Sequence, residues 1–107
     1  MGRALLATAL IAIIATPLAS AEETYKLSIG EQGFEPATLE IPAGKKISLT
    51  VTNNTKKAAE FESEKLGREK IIPAGRGATI SIGPLKAGTY EFLDDFNKSH
   101  KGAINAK

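Results

Sequence analysis

Between Tyr25 and Ala106 the chain repeats one pattern: short apolar/polar alternations, broken by Gly, Pro or Asn about every eight to twelve residues. A period of two puts successive side chains on opposite faces of an extended strand, whereas a helix repeats its apolar positions every three or four residues. Ile47, Leu49 and Val51 alternate with Ser48 and Thr50, and Ile80 and Ile82 flank Ser81, so these apolar residues are expected to build the core. The pattern predicts strands at Tyr25–Ile29, Thr38–Ile41, Lys46–Thr52, Ala59–Ser63, Glu69–Ile72, Ala78–Ile82, Thr89–Leu93 and Gly102–Ala106. Pro42-Ala43-Gly44, Pro73-Ala74-Gly75 and Lys86-Ala87-Gly88 punctuate strand ends with residues that fix or free φ. The one stretch with helical character, Glu62–Lys70, reads as a charged, solvated connection. The expected class is all-β, a sandwich or a barrel.

The beginning of the chain follows a different rule. A basic start at Met1-Gly2-Arg3, an apolar run from Ala4 to Thr16, and the small residues Ala19-Ser20-Ala21 are the three parts of a secretory signal peptide. The run is shorter than the roughly 20 residues a membrane-spanning helix needs, so cleavage is expected after Ala21. That leaves residues 22–107 as a single exported domain, not inserted in a membrane, and a monomer is expected. A domain this small buries roughly 60–65% of its unfolded surface, enough for one modest core. The chain has no cysteine, so it has no disulfides to reinforce that core, no thiolate ligand or nucleophile, and no site for a lipid anchor. Lys and Arg number 14 against 12 Asp and Glu, and one of the cations, Arg3, leaves with the leader. A nearly neutral domain without a basic stripe gives no support for nucleic-acid binding, and no nucleic acid partner is expected.

The densest chemistry lies in "TYEFLDDFNKSHKG", Thr89–Gly102, where an aromatic strand runs into Asp94-Asp95 and then His100, the only histidine. Adjacent carboxylates at a strand end also commonly accept hydrogen bonds from loop N–H groups, and a lone histidine in a polar loop is commonly solvated. Other signals carry less. Ser99-His100 is not a catalytic pair by adjacency, since such groups are a spatial constellation. Gly75-Arg76-Gly77 lacks the strand-to-helix context of a phosphate loop, and the sequons at Asn53 and Asn97 read as chance. No enzyme class is supported by these residues.

The strings "GFEPATLEIPAGKKISLTVTNNT", "EFES", "IPAGRGATISIGPLKAGTYEFLDDF" and "KGAI", in that order, resemble the small bacterial cupredoxin-like domains, notably those associated with periplasmic ferrous-iron uptake. The resemblance covers residues 25–106 and implies a Greek-key β-sandwich of seven or eight strands in the periplasm. Cupredoxins with type 1 copper hold it with two His, one Cys and a weak axial Met. Aligned to that pattern, Ala59 takes the first His position, Asp94 the Cys, Asn97 the second His and His100 the Met; a shifted alignment makes His100 the loop histidine. Either way no blue copper site is expected without a thiolate.

What the resemblance leaves at that end of the sandwich is an oxygen-rich set: Asp94, Asp95 and His100, with Glu60 and Glu62 from the neighbouring strand. Carboxylates with one imidazole suit iron, manganese, zinc or cupric ion. Glu60 and Glu62 share a face and turn Phe61 to the core. The competing expectation is that Lys56, Lys57, Lys65, Arg68 and Lys70 neutralise them as an ordinary solvated surface. Two functions follow. One is an accessory metal-handling protein that binds an iron or copper ion in support of iron acquisition, with Fe²⁺ oxidation allowed by the resemblance, and that meets a membrane iron permease or another periplasmic protein. The other is a metal-free module that presents Asp94–Lys101 to a protein partner.

Overall fold

The computed structural model describes Gly2 and residues 22–107. The expected leader and its cleavage site after Ala21 lie outside the described residues.

Among these, nine strands form in chain order: β1 Thr24–Gly30, β2 Gly33–Glu35, β3 Thr38–Ile41, β4 Ile47–Asn53, β5 Ala59–Ser63, β6 Arg68–Ile72, β7 Gly77–Ile82, β8 Gly88–Asp94 and β9 Asn97–Ala106. They divide into a four-stranded sheet, ordered β2-β1-β4-β7, and a five-stranded sheet, ordered β3-β9-β8-β5-β6. β1 runs parallel to β4 and β3 parallel to β9; every other neighbouring pair is antiparallel. The chain crosses between sheets at β2–β3, β3–β4, β4–β5, β6–β7 and β7–β8, so the two sheets enclose one core, a β-sandwich.

The period of two is visible in burial. Along β4 buried and half-buried residues alternate without a break from Ile47 to Asn53. Leu27 and Ile29 from β1 and Ile80 and Ile82 from β7 fill the same layer, facing Phe61, Phe92 and Ile104 of the other sheet. The centre is aromatic. Phe34 meets Phe92 edge-on at 4.8 Å between ring centroids, and Phe61 lies 5.1 Å from Phe92. Such pairs stabilise beyond the area they bury, by about 0.5–1.5 kcal/mol each.

Three boundaries differ from the sequence expectation. β2 is additional: three residues around Gly33 give too short a run to show a period, yet its Phe34 is a central core ring. The stretch Glu62–Lys70 is a hairpin rather than an irregular connection, with Ser63 pairing Arg68 across a turn closed by the Gly67 N–H to Glu64 O bond. β9 starts at Asn97, five residues before the expected Gly102, so most of the expected Asp94–Lys101 loop is strand.

Candidate metal centre

Parity along β8 sorts the two aspartates. Tyr90, Phe92 and Asp94 point inward and Glu91 and Leu93 to the outer face of the five-stranded sheet, and Asp95, the first residue of the β8–β9 turn, lies beside Glu91 and Leu93 on that outer side. On β5 the same rule sends Phe61 into the core and Glu60 and Glu62 outward. Register brings these outward carboxylates together, because Phe61 pairs with Asp94 and the Asp95 N–H bonds Glu60 O at 2.9 Å. One oxygen from each of Glu60, Glu62 and Asp95 lies within 4.8 Å of the others, a spacing that one small cation could bridge.

The electrostatics of this trio are those of crowded carboxylates that one exposed lysine only partly offsets. Glu60 is pushed above the ordinary carboxyl value of 4.5, first by loss of solvent, then by the charges of Glu69 and Asp95. Glu62 is raised too, by loss of solvent, then by its hydrogen bond with Asp95 and that residue's charge; Lys98 pulls it back down. Glu69 contributes because it sits directly opposite Glu62 in the β5–β6 ladder. The expected neutralisation by Lys56, Lys57, Lys65, Arg68 and Lys70 is absent among the described residues: none of them forms an ion pair with Glu60 or Glu62. The nearby cation is instead Lys98, 3.7 Å from Asp95 and well exposed. Glu62, Asp95, Lys98 and Lys101 line a groove of about 790 Å³ floored by Leu93 and Gly102.

The other two candidates lie apart from that trio. Asp94 is 4% exposed, and its Oδ1 accepts the N–H groups of Glu60 at 2.9 Å and Phe96 at 3.0 Å. His100 is separated from it by a register shift. Leu93 pairs with Lys101 but Asp94 pairs with Asn97, so Lys98, Ser99 and His100 bulge out of the ladder. The His100 ring packs near Gly33 and, with Asp94, lines a second cavity of about 390 Å³ shared with Glu31, Lys56 and Lys57. The structure thus gathers Glu60, Glu62 and Asp95, and places Asp94 and His100 at the end of the sandwich. The signal that separates Asp94 from Asp95 was available in the chain: Tyr90, Phe92 and Asp94 continue one alternation.

The four positions aligned with type 1 copper ligands do not fit that ion. Ala59 offers a buried methyl group, and Asp94 has committed an oxygen to two N–H groups. The Asn97 amide accepts from Ser99 Oγ at 2.7 Å and places its Nδ2 3.4 and 3.5 Å from the two ring nitrogens of His100. A soft thiolate, which defines that centre, is missing from the chain. The sequon at Asn53 is likewise spent on structure. Its side chain is fully buried, donating to Lys57 O and Ile72 O and accepting from Thr55.

The chain is 38% identical over 73 residues to an uncharacterised protein, RP394, of Rickettsia prowazekii (strain Madrid E), a match covering 68% of this chain and 58% of that one. The chain therefore spans less than two thirds of that relative's length. Among solved structures, the metal-binding domain of the Cu(I)-exporting P-type ATPase CopA of Streptococcus pneumoniae D39, with Cu(I), superposes with a TM-score of 0.67 at 23% identity, covering 78% of this chain and 84% of that one. Reduced auracyanin from Roseiflexus castenholzii gives 0.65 at 16% identity, over 82% and 99% of the two chains. The purple cupredoxin of Nitrosopumilus maritimus gives 0.56 at 21%, over 77% and 98%. Identities this low show a common fold. The family model for the cupredoxin-like domain matches residues 3–106, and with the two-sheet topology described above it establishes that this chain belongs to the cupredoxin-like domain family.

Proposed function

We propose that this domain is an exported, periplasmic accessory metal-handling protein that binds a hard divalent cation through Glu60, Glu62 and Asp95, in support of iron acquisition. The observation that carries the reading is the convergence of three carboxylate oxygens within 4.8 Å, two from β5 and one from the β8–β9 turn. Oxygen-only donors of this kind suit Fe²⁺, Mn²⁺ or Mg²⁺ better than Cu⁺, and Cu²⁺ is the alternative occupant. Membership of a fold family with copper-binding neighbours supports a metal role, and the link to ferrous iron rests on the sequence resemblance. In this reading the ion is held at an open face and passed to a membrane iron permease by protein contact, and His100 and Asp94 lie outside the ligand set.

Anaerobic calorimetric titration with Fe²⁺, repeated with Cu²⁺ and Zn²⁺, tests the reading. Wild type is expected to bind one ion, and Glu62→Gln and Asp95→Asn to weaken it at least tenfold each, because each removes a charge and a donor oxygen. His100→Ala is expected to leave affinity unchanged. Equal millimolar binding by all four proteins would end the metal reading. A second reading, a protein-binding module, is favoured by one observation: Phe96, at the β8–β9 tip, is 55% exposed, unlike the other three phenylalanines. It predicts that Phe96→Ser abolishes partner capture while metal affinity stays at the wild-type value.

A further inference from the structure

The disagreement between the copper-ligand pattern and the residues that occupy it has a structural content of its own. Above the Phe61–Asp94 pair the β5–β8 ladder ends, since only Phe61–Asp94 and Glu62–Leu93 are in register. Beyond that point β5 is connected to the β8–β9 turn by the Asp94 side chain. A single buried oxygen receives the N–H of Glu60, on β5, and the N–H of Phe96, in the turn, while the Asp95 N–H closes the same bracket onto Glu60 O. Both N–H groups would otherwise face a half-buried region with no strand partner, and an unmade bond there is costly.

We infer that the Asp94 carboxylate is the fastener of this end of the sandwich, taking the place of a metal ion between β5 and the β8–β9 turn, and that, with Ala59 and Asn97, it excludes a type 1 copper ion from those positions. An anionic acceptor shared by two backbone donors is a charge-assisted tie, stronger than a neutral one, and it is present without any ion. Its neighbours are closed in the same manner, with Asn97 committed to Ser99 and His100 and with a methyl group at Ala59. Asp94 is thus a positioning residue whose effect on metal choice is exclusion. The inference does not depend on the outer-face trio.

Amide hydrogen exchange of the full domain in EDTA reads the bracket directly. In wild type the Glu60 and Phe96 amides are expected to exchange slowly without metal. Asp94→Ala should speed both at least a hundredfold, leaving the core amides of Leu49 and Ile104 unchanged. Asp94→Asn, whose amide oxygen still accepts both bonds, should stay within about tenfold of wild type by the standing equivalence of 1.4 kcal/mol per decade. Equal protection in Asp94→Ala, or protection of wild type that appears only on adding metal, would overturn the fastener. Copper exclusion has its own arm, the triple variant Asp94→Cys with Ala59→His and Asn97→His. It is expected to turn intensely blue with Cu²⁺, and a folded, colourless triple variant would mean that the backbone, not these side chains, excludes the ion. Should Asp94→Ala or the triple variant fail to fold, exchange in wild type and Asp94→Asn still decides the fastener, because protection that appears in either protein only on adding metal overturns it and protection of both in EDTA supports it.

Discussion

At the scale of single residues the end of the sandwich depends on a ring and the absence of a side chain beside it. Phe92 is the shared member of the core's two closest ring pairs, and a Cβ added at Gly102 would collide with its Cζ and meet the Ala37 oxygen at 2.8 Å. Gly102 is therefore required by approach, because ring and backbone occupy the space of a methyl group. Phe92→Ala is expected to cost about 3–5 kcal/mol as a core truncation, a large share of the roughly 5–15 kcal/mol that holds a domain together. Gly102→Ala is expected to cost about 1–3 kcal/mol by overpacking. Urea unfolding of the single variants and of Gly102→Ala combined with Phe92→Leu checks the pairing. The smaller, flexible leucine should recover part of the Gly102→Ala loss, and strict additivity would show that the methyl group's conflict is with the Ala37 carbonyl instead.

At the scale of elements, the strands that alternate cleanly were legible and those that do not were hidden. β4 and β7 announce themselves through Ile47-Leu49-Val51 and Ile80-Ile82, because each has one face in the core and one outside. β2 did not, since a three-residue strand carries no period, although its Phe34 was part of the motif that marked the family resemblance. The start of β9 was hidden by composition. Asn97-Lys98-Ser99-His100 reads as loop, and only pairing to β8 with three bulged residues makes it strand. The same bulge removes His100 from the acidic face, a tertiary effect with no local signature. Glu60 and Glu62 were legible as a pair on one face, and Asp95 joined them through register. Glu69 completes the acidic surface by facing Glu62 across the hairpin, and like charges directly opposite are destabilising. Glu69→Lys is accordingly expected to raise the unfolding midpoint in EDTA and to lower metal affinity, two effects of opposite sign from one added cation. A gain in stability with unchanged affinity, measured by paired thermal melts and titrations, would mean that metal does not bind beside Glu62.

For the whole molecule the acidic face makes stability depend on pH in an unusual direction. Glu60 and Glu62 hold their protons more tightly folded than at the ordinary 4.5, so between 4.5 and their raised values the folded state binds more protons than the unfolded chain. Their contribution is fully present below pH 4.5 and is lost as pH rises through the raised folded values. At neutral pH, then, the face works against the fold, whereas most carboxylates that gain a partner on folding do the reverse. A bound divalent cation should cancel this, because it favours the ionised form and so lowers both values. The expected measurement is a set of melting temperatures from pH 4.5 to 8 for wild type and for Glu60→Gln with Glu62→Gln. In EDTA the double variant should gain on wild type as pH rises, and at pH 4.5 the gap should narrow. With saturating Fe²⁺ under anaerobic conditions the order should invert at neutral pH, wild type being stabilised and the variant unaffected. A gap that is constant with pH would remove the electrostatic cause, and an inversion that also occurs in the double variant would place the ion somewhere other than this face.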